Sequence, residues 1–191
     1  AGSRPIDLYI VDLGLPDGEG LQLIRAVRRW SARPIIILSA RSLEAEKVRA
    51  LDTGANDYVT KPFGLSELHA RVRACLRHAA QTRMNGATTL VAGQVEIDLE
   101  SRIVRRGGEP VRLTATQWRL LEVLARHVGS VVTSRQLLRE VWGLDHVEQA
   151  HYLRVYMRQL RLKLEDDPAN PVLLVTETGV GYRMVCTAFR E

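Results

Sequence analysis

The chain has 191 residues, 46% hydrophobic and 26% charged, with a net charge of +5. That is length enough for two small cores, and it excludes a disordered or low-complexity protein. No apolar run approaches the ~18 residues of a membrane span, and Cys75 and Cys186 lack CxxC or Cys/His spacing, which speaks against a zinc site or a disulfide framework. A cytoplasmic protein with no membrane attachment is expected. Residues 1–78 hold 12 basic and 9 acidic side chains and residues 88–191 hold 14 and 13, so a nucleic-acid footprint has to be local.

In chain order, "LYIVD" reads as a buried parallel strand with Asp12 at its carboxyl end. "GLQLIRAVRRW" is helical, with apolar residues at 21, 23, 24 and 27. "RPIIILSA" is a second strand ending near Ser39, and "LEAEKVRALDTGA" a helix with Val48 and Leu51 inward and Gly54 as its stop. "NDYVTKPF" is a third strand ending at Lys61-Pro62. "LSELHARVRACLRHAA" is a helix with Ser66 as its cap and Leu68, Val72, Cys75 and Leu76 as its inner stripe. Three strand–helix alternations predict a parallel α/β sheet. Residues 79–87 carry no pattern and read as a linker between a domain over 1–78 and another over 88–191.

The second domain opens with alternating apolar and polar residues around Gly93 and Gly107-Gly108, the pattern of a small antiparallel sheet. Two helices follow, one capped by Thr114 with Gln117 three residues on, the other by Ser134. A longer helix is expected over roughly 147–164, and "LLVTETGVGYRMV" closes as a Gly-turned hairpin.

Asp12, Ser39 and Lys61 end three successive parallel strands, so they share one sheet edge. A carboxylate beside an ammonium keeps its charge and can attack phosphorus, while a nearby hydroxyl and ammonium can hold the phosphoryl group that results. "VDLGLPDGEG", "IIILSAR" and "NDYVTKPF" resemble the third, fourth and fifth strands of a two-component receiver domain, over residues 6–78. The resemblance implies a flavodoxin-like fold with Asp12 as phospho-acceptor, Ser39 and Tyr58 as switch residues and Lys61 as phosphate binder. It implies a cis Lys61-Pro62 bond, Mg²⁺ on Asp12 and the Gly14 carbonyl, and a charged dimer face bearing Lys47, Asp57, Glu67 and Arg71, beside Asn56 where relatives often carry Asp. A receiver's first strand ends in an acidic pair that completes the Mg²⁺ site, and this sequence shows none. The chain is therefore expected to be a receiver truncated at its front end that holds no cofactor as it stands. Aspartate-nucleophile phosphatases place a second Asp two residues on as acid; here that position is Gly14, which argues against an enzyme.

In "HYLRVYMRQLRLKLE", Leu153, Met157, Leu160 and Leu164 form one apolar stripe, and Arg154, Arg158 and Arg161 repeat that spacing one residue later, about 100° round the helix. Such a helix can lie on a core and offer guanidinium groups to a major groove. "LTATQWRLLEVLARHVGSVVTSRQLLREVWG", "HYLRVYMRQLRLKLEDDP" and "TETGVGYRM" resemble the winged-helix effector domain of OmpR/PhoB-type response regulators. By that resemblance Arg154, Tyr156, Arg158, Arg161 and Lys163 lie on the recognition helix, and Thr178 and Gly179 lie in the wing. It implies double-stranded DNA with promoter direct repeats, a sensor histidine kinase and a homodimer as partners. "DLGLPD", "HYLRVYM", "LEDDP" and "TETGVGYR" look closest to the potassium-transport (Kdp) branch of that family, which implies promoters of potassium-uptake genes. The alternative is a phosphorylation-independent DNA binder with a degenerate receiver.

Overall fold

A computed structural model describes residues 6–14, 20–40, 44–83, 89–144 and 150–190. The chain divides into two compact units between Arg83 and Met84.

The first unit runs β1 (Tyr9–Asp12), α1 (Gly20–Arg28), β2 (Ile35–Ala40), α2 (Glu44–Thr53), β3 (Asp57–Lys61) and α3 (Leu65–Arg83). Its three strands are parallel in the order β1-β2-β3, with Asp12 opposite Leu38 and Ser39 opposite Thr60. The central strand is apolar on both faces, and Ile35, Ile36 and Ile37 are fully buried. The Lys61-Pro62 peptide is cis.

Several boundaries differ from the sequence expectations. The helix expected to end before a linker at 79–87 continues to Arg83, because Ala79, Ala80 and Gln81 are strong helix formers; residues 84–88 lie outside the described ones. Ser66 sits in the first turn of α3 rather than at its cap, since the helix starts at Leu65, and the first returning bonds go to the Gly64 carbonyl. On α2 the buried face is Lys47, Ala50 and Leu51, with Val48 only half-buried.

The second unit comprises β4 (Thr89–Ala92), β5 (Val95–Asp98), β6 (Ile103–Arg106), β7 (Glu109–Pro110), α4 (Ala115–Arg126), β8 (Val131–Thr133), α5 (Ser134–Trp142), α6 (Ala150–Leu164), β9 (Leu174–Glu177), β10 (Gly181–Met184) and β11 (Ala188–Arg190). One antiparallel sheet has the order β11-β4-β5-β6-β7 and a second β8-β10-β9. Three helices enclose a core of Leu120, Leu121, Leu124, Leu137, Leu138, Leu153, Met157 and Leu160, all almost completely buried. Thr114 and Gln117 form the expected reciprocal cap on α4. On α5 the cap is Thr133, whose hydroxyl accepts from the Gln136 N–H at 3.1 Å, with Ser134 the first helical residue. The long helix is described from Ala150; residues 147–149 of its expected span lie outside the described residues.

Candidate functional site

Two places bring the expected residues together. At the carboxyl edge of the parallel sheet, Asp12 ends β1. Its Oδ1 accepts the Gly14 N–H at 2.9 Å, while Oδ2 accepts from Lys61 Nζ, which reaches across from the end of β3. Both side chains keep solvent access, 32% for Asp12 and 41% for Lys61. The Lys61 hydrogen bond, then the Gly14 N–H, hold the Asp12 carboxyl below the usual carboxylate range. A charged, accessible carboxylate beside an ammonium is what nucleophilic attack on phosphorus requires, and the ammonium remains to neutralise the product.

Ser39 lies at the same edge but is fully buried, and its hydroxyl donates to the Ala40 carbonyl at 3.1 Å. Tyr58 is buried with Lys47 Nζ 5.3 Å and Arg71 Cζ 5.8 Å from its ring centre.

Among the described residues no three acidic, His or Cys side chains cluster as a metal site. Asp12 and the Gly14 carbonyl supply two oxygens against the roughly six that Mg²⁺ takes, so the described residues alone do not fit the ion.

The expected dimer face is only partly a surface. Lys47 is 5% exposed and donates to Thr60 Oγ1 at 3.1 Å, and fully buried Asp57 pairs with Arg71 at 3.1 Å. Those two charges turn inward because partners within the unit satisfy them; Glu67 and Arg71 stay at the rim, 3.3 Å apart. Asn56 also turns in, its side-chain oxygen accepting from Arg28 at 2.8 Å and from the Ile35 N–H at 2.9 Å.

The second place is α6. Leu153, Met157, Leu160 and Leu164 anchor it in the core. Arg154 and Arg158 are exposed and make no ion pair among the described residues. The other expected contacts divide. Arg161 donates to the Leu174 carbonyl and to Thr176, and Lys163 donates to the Arg112 carbonyl at 2.7 Å and to Gln117 Oε1 at 2.8 Å. Tyr156 is half-buried, with its ring centre 5.3 Å from that of Trp142. Thr178 and Gly179 are exposed at the β9–β10 turn, where Gly179 takes a φ of +74°.

The face opposite the apolar stripe carries the expected Arg158 together with His151, Val155 and Leu162, which the sequence reading did not single out, all exposed, with Tyr152 and Gln159 beside it. The helical period locates that face 180° from the stripe, whereas the arginine spacing drew the reading to its flank.

Comparison with known proteins agrees with both units. Residues 1–73 match the family model described as the response regulator receiver domain, and residues 108–184 match the transcriptional regulatory protein, C terminal. The chain is 53% identical to the KDP operon transcriptional regulatory protein KdpE of Escherichia coli, over 97% of this chain and 82% of that protein. It is 46% identical to the transcriptional regulatory protein KdpE of Mycobacterium tuberculosis, over 96% of this chain and 81% of that one.

Proposed function

The chain belongs to the OmpR/PhoB-type response regulators, which join a receiver to a winged-helix DNA-binding domain, and on that basis we propose that Asp12 is its phospho-acceptor and α6 its DNA-reading helix, acting at promoters of potassium-transport genes. The upstream partner is a sensor histidine kinase, and the relatives that support the potassium-transport assignment are transcriptional regulators. The observation that carries the reading is the pairing of Asp12 with Lys61 at one sheet edge in a chain whose other unit exposes Arg154 and Arg158 on one helix.

The residues divide the work. Lys61 keeps Asp12 ionised and is placed to neutralise a phosphoryl group on it. Ser39 sits at the same edge and Tyr58 nearer the start of β3, both buried, so rearranging either would disturb β2 or β3, and β3 is tied to α3 by the Asp57–Arg71 pair. Metal assistance requires oxygen donors beyond the two described. In the second unit, Arg158 offers a bidentate donor fork to guanine edges from the outward face, Arg154 flanks it, and Thr178 and Gly179 bring a neutral wing tip to the backbone.

One winged helix covers one half-site, and two copies side by side would occupy direct repeats with centres about 10–11 bp apart, one helical turn. Selection of duplexes from a random library with the whole chain, followed by sequencing, tests this. Paired direct repeats at that spacing are expected; inverted repeats, or no enrichment, would contradict it.

A further inference from the structure

The guanidinium of Arg161 does not face outward. Nε and Nη2 donate to the Leu174 carbonyl at 2.9 and 2.6 Å, Nη2 donates to Thr176 Oγ1 at 2.7 Å, and the group lies 5.7 Å from the centre of the Tyr182 ring on β10. Just past the end of α6, the buried Glu165 carboxylate takes the amide side of the same stretch, accepting the N–H groups of Leu173 at 3.0 Å and Leu174 at 2.7 Å. β9 is an edge strand of the β8-β10-β9 sheet, so its outer backbone groups have no strand to pair with. The end of α6 and the residue that follows it supply the partners instead, the Arg161 cation for the carbonyl and the Glu165 anion for the N–H groups.

We infer that Arg161, with Glu165 behind it, is a positioning residue that brackets α6 to the wing hairpin and so fixes where the wing meets DNA, without itself reading a base. The inference rests on α6 being the DNA-reading helix. Arg158, one turn earlier and exposed, carries base recognition. Three of the side chain's polar contacts are already made inside the fold, and its cation is stacked on an aromatic face. Turning it into the groove would leave the Leu174 carbonyl without that donor at a half-buried edge. A helix and a wing that must enter adjacent grooves together need a fixed angle between them, and this is the contact that spans the two.

The test compares the whole parent chain with Arg161→Ala, Arg161→Lys, Thr176→Val and Arg158→Ala. Two readouts are taken: hydrogen exchange of the β9 and β10 amides without DNA, and affinity for the library-selected duplex and its single-base variants. Arg161→Ala is expected to speed wing exchange roughly tenfold or more, as loss of a charged hydrogen-bond pair should. It is also expected to weaken every duplex by a similar factor with the order of preference unchanged. Arg161→Lys and Thr176→Val, which keep part of the bracket, should show smaller changes in the same direction. Arg158→Ala should leave wing exchange as in the parent and relax preference at one base pair. Wing exchange in Arg161→Ala within twofold of the parent, or a loss confined to one base pair, would overturn the inference. A parent chain that enriches no duplex would overturn the reading of α6 while the exchange result still decides whether the bracket exists.

Discussion

Asp12 is held anionic by an ammonium donor and a backbone N–H, and the two contributions can be separated. In Lys61→Ala the larger is gone, so the Asp12 carboxyl should titrate closer to the ordinary carboxylate range, as followed by the carbon-13 shift of its carboxyl. An unmoved titration would mean Lys61 does not govern this site. His127 offers a second test at the scale of one side chain. Burial pushes its ring below the usual histidine range, Glu140 opposing and Arg126 adding to the effect, and Gln136 Nε2 lies 3.4 Å from Nε2 of the ring. The unfolded chain then binds more protons than the folded one below about pH 6.5, so stability declines as pH falls from there and levels off below the folded pKa. Urea unfolding at pH 7 and pH 5.5 should show that decline in the parent and less of it in His127→Gln; the same pH dependence in both would exclude His127 as its source.

Elements show where the sequence could be read and where it could not. Three parallel strands and the Thr114–Gln117 cap were legible because strand runs and helix caps are written within a few residues. The short β8 escaped because two valines and a threonine carry no period, and only pairing with β10 makes them a strand. Arg161 and Lys163 were legible as cations but not as engaged ones, because their acceptors, Leu174 and Gln117, come from β9 and α4 and meet them only in the folded unit. Lys47 and Asp57, placed on the dimer face by resemblance to the family, are held by partners brought together only in the folded unit. β10 illustrates a constraint that only packing reveals. A Cβ on Gly181 would run into the Val132 carbonyl and come within 2.8 Å of Thr133 Cα, both backbone atoms of β8. Neither can swing aside as a side chain would. Gly181→Ala should cost about 3 kcal/mol or more of stability in the second unit, at the upper end for overpacking. A thermal midpoint equal to the parent's would show that β8 and β10 do not approach as described.

At the scale of the whole molecule, the net charge of +5 is too small and too evenly spread to bind a polyanion by itself. Nucleic-acid affinity has to come from where charges are left outside, and folding selects among them: Arg161 and Lys163 are drawn in while Arg154 and Arg158 remain out. Two chemically distinct units on one chain, an aspartate edge and an arginine-bearing helix, fit the division between receiving a signal and acting on DNA that the family shows. The most direct measurement is fluorescence anisotropy of the whole chain on the library-selected duplex across a salt series, with Arg158→Ala and Lys163→Ala beside the parent. Loss of a bidentate base contact in Arg158→Ala should cost ~1–3 kcal/mol and relax preference at one base pair. Lys163→Ala should change the salt slope little, because two of the ammonium's three N–H groups are taken by the Arg112 carbonyl and Gln117 Oε1. Equal affinity of Arg158→Ala and the parent on every duplex variant would contradict the placement of α6 in the groove.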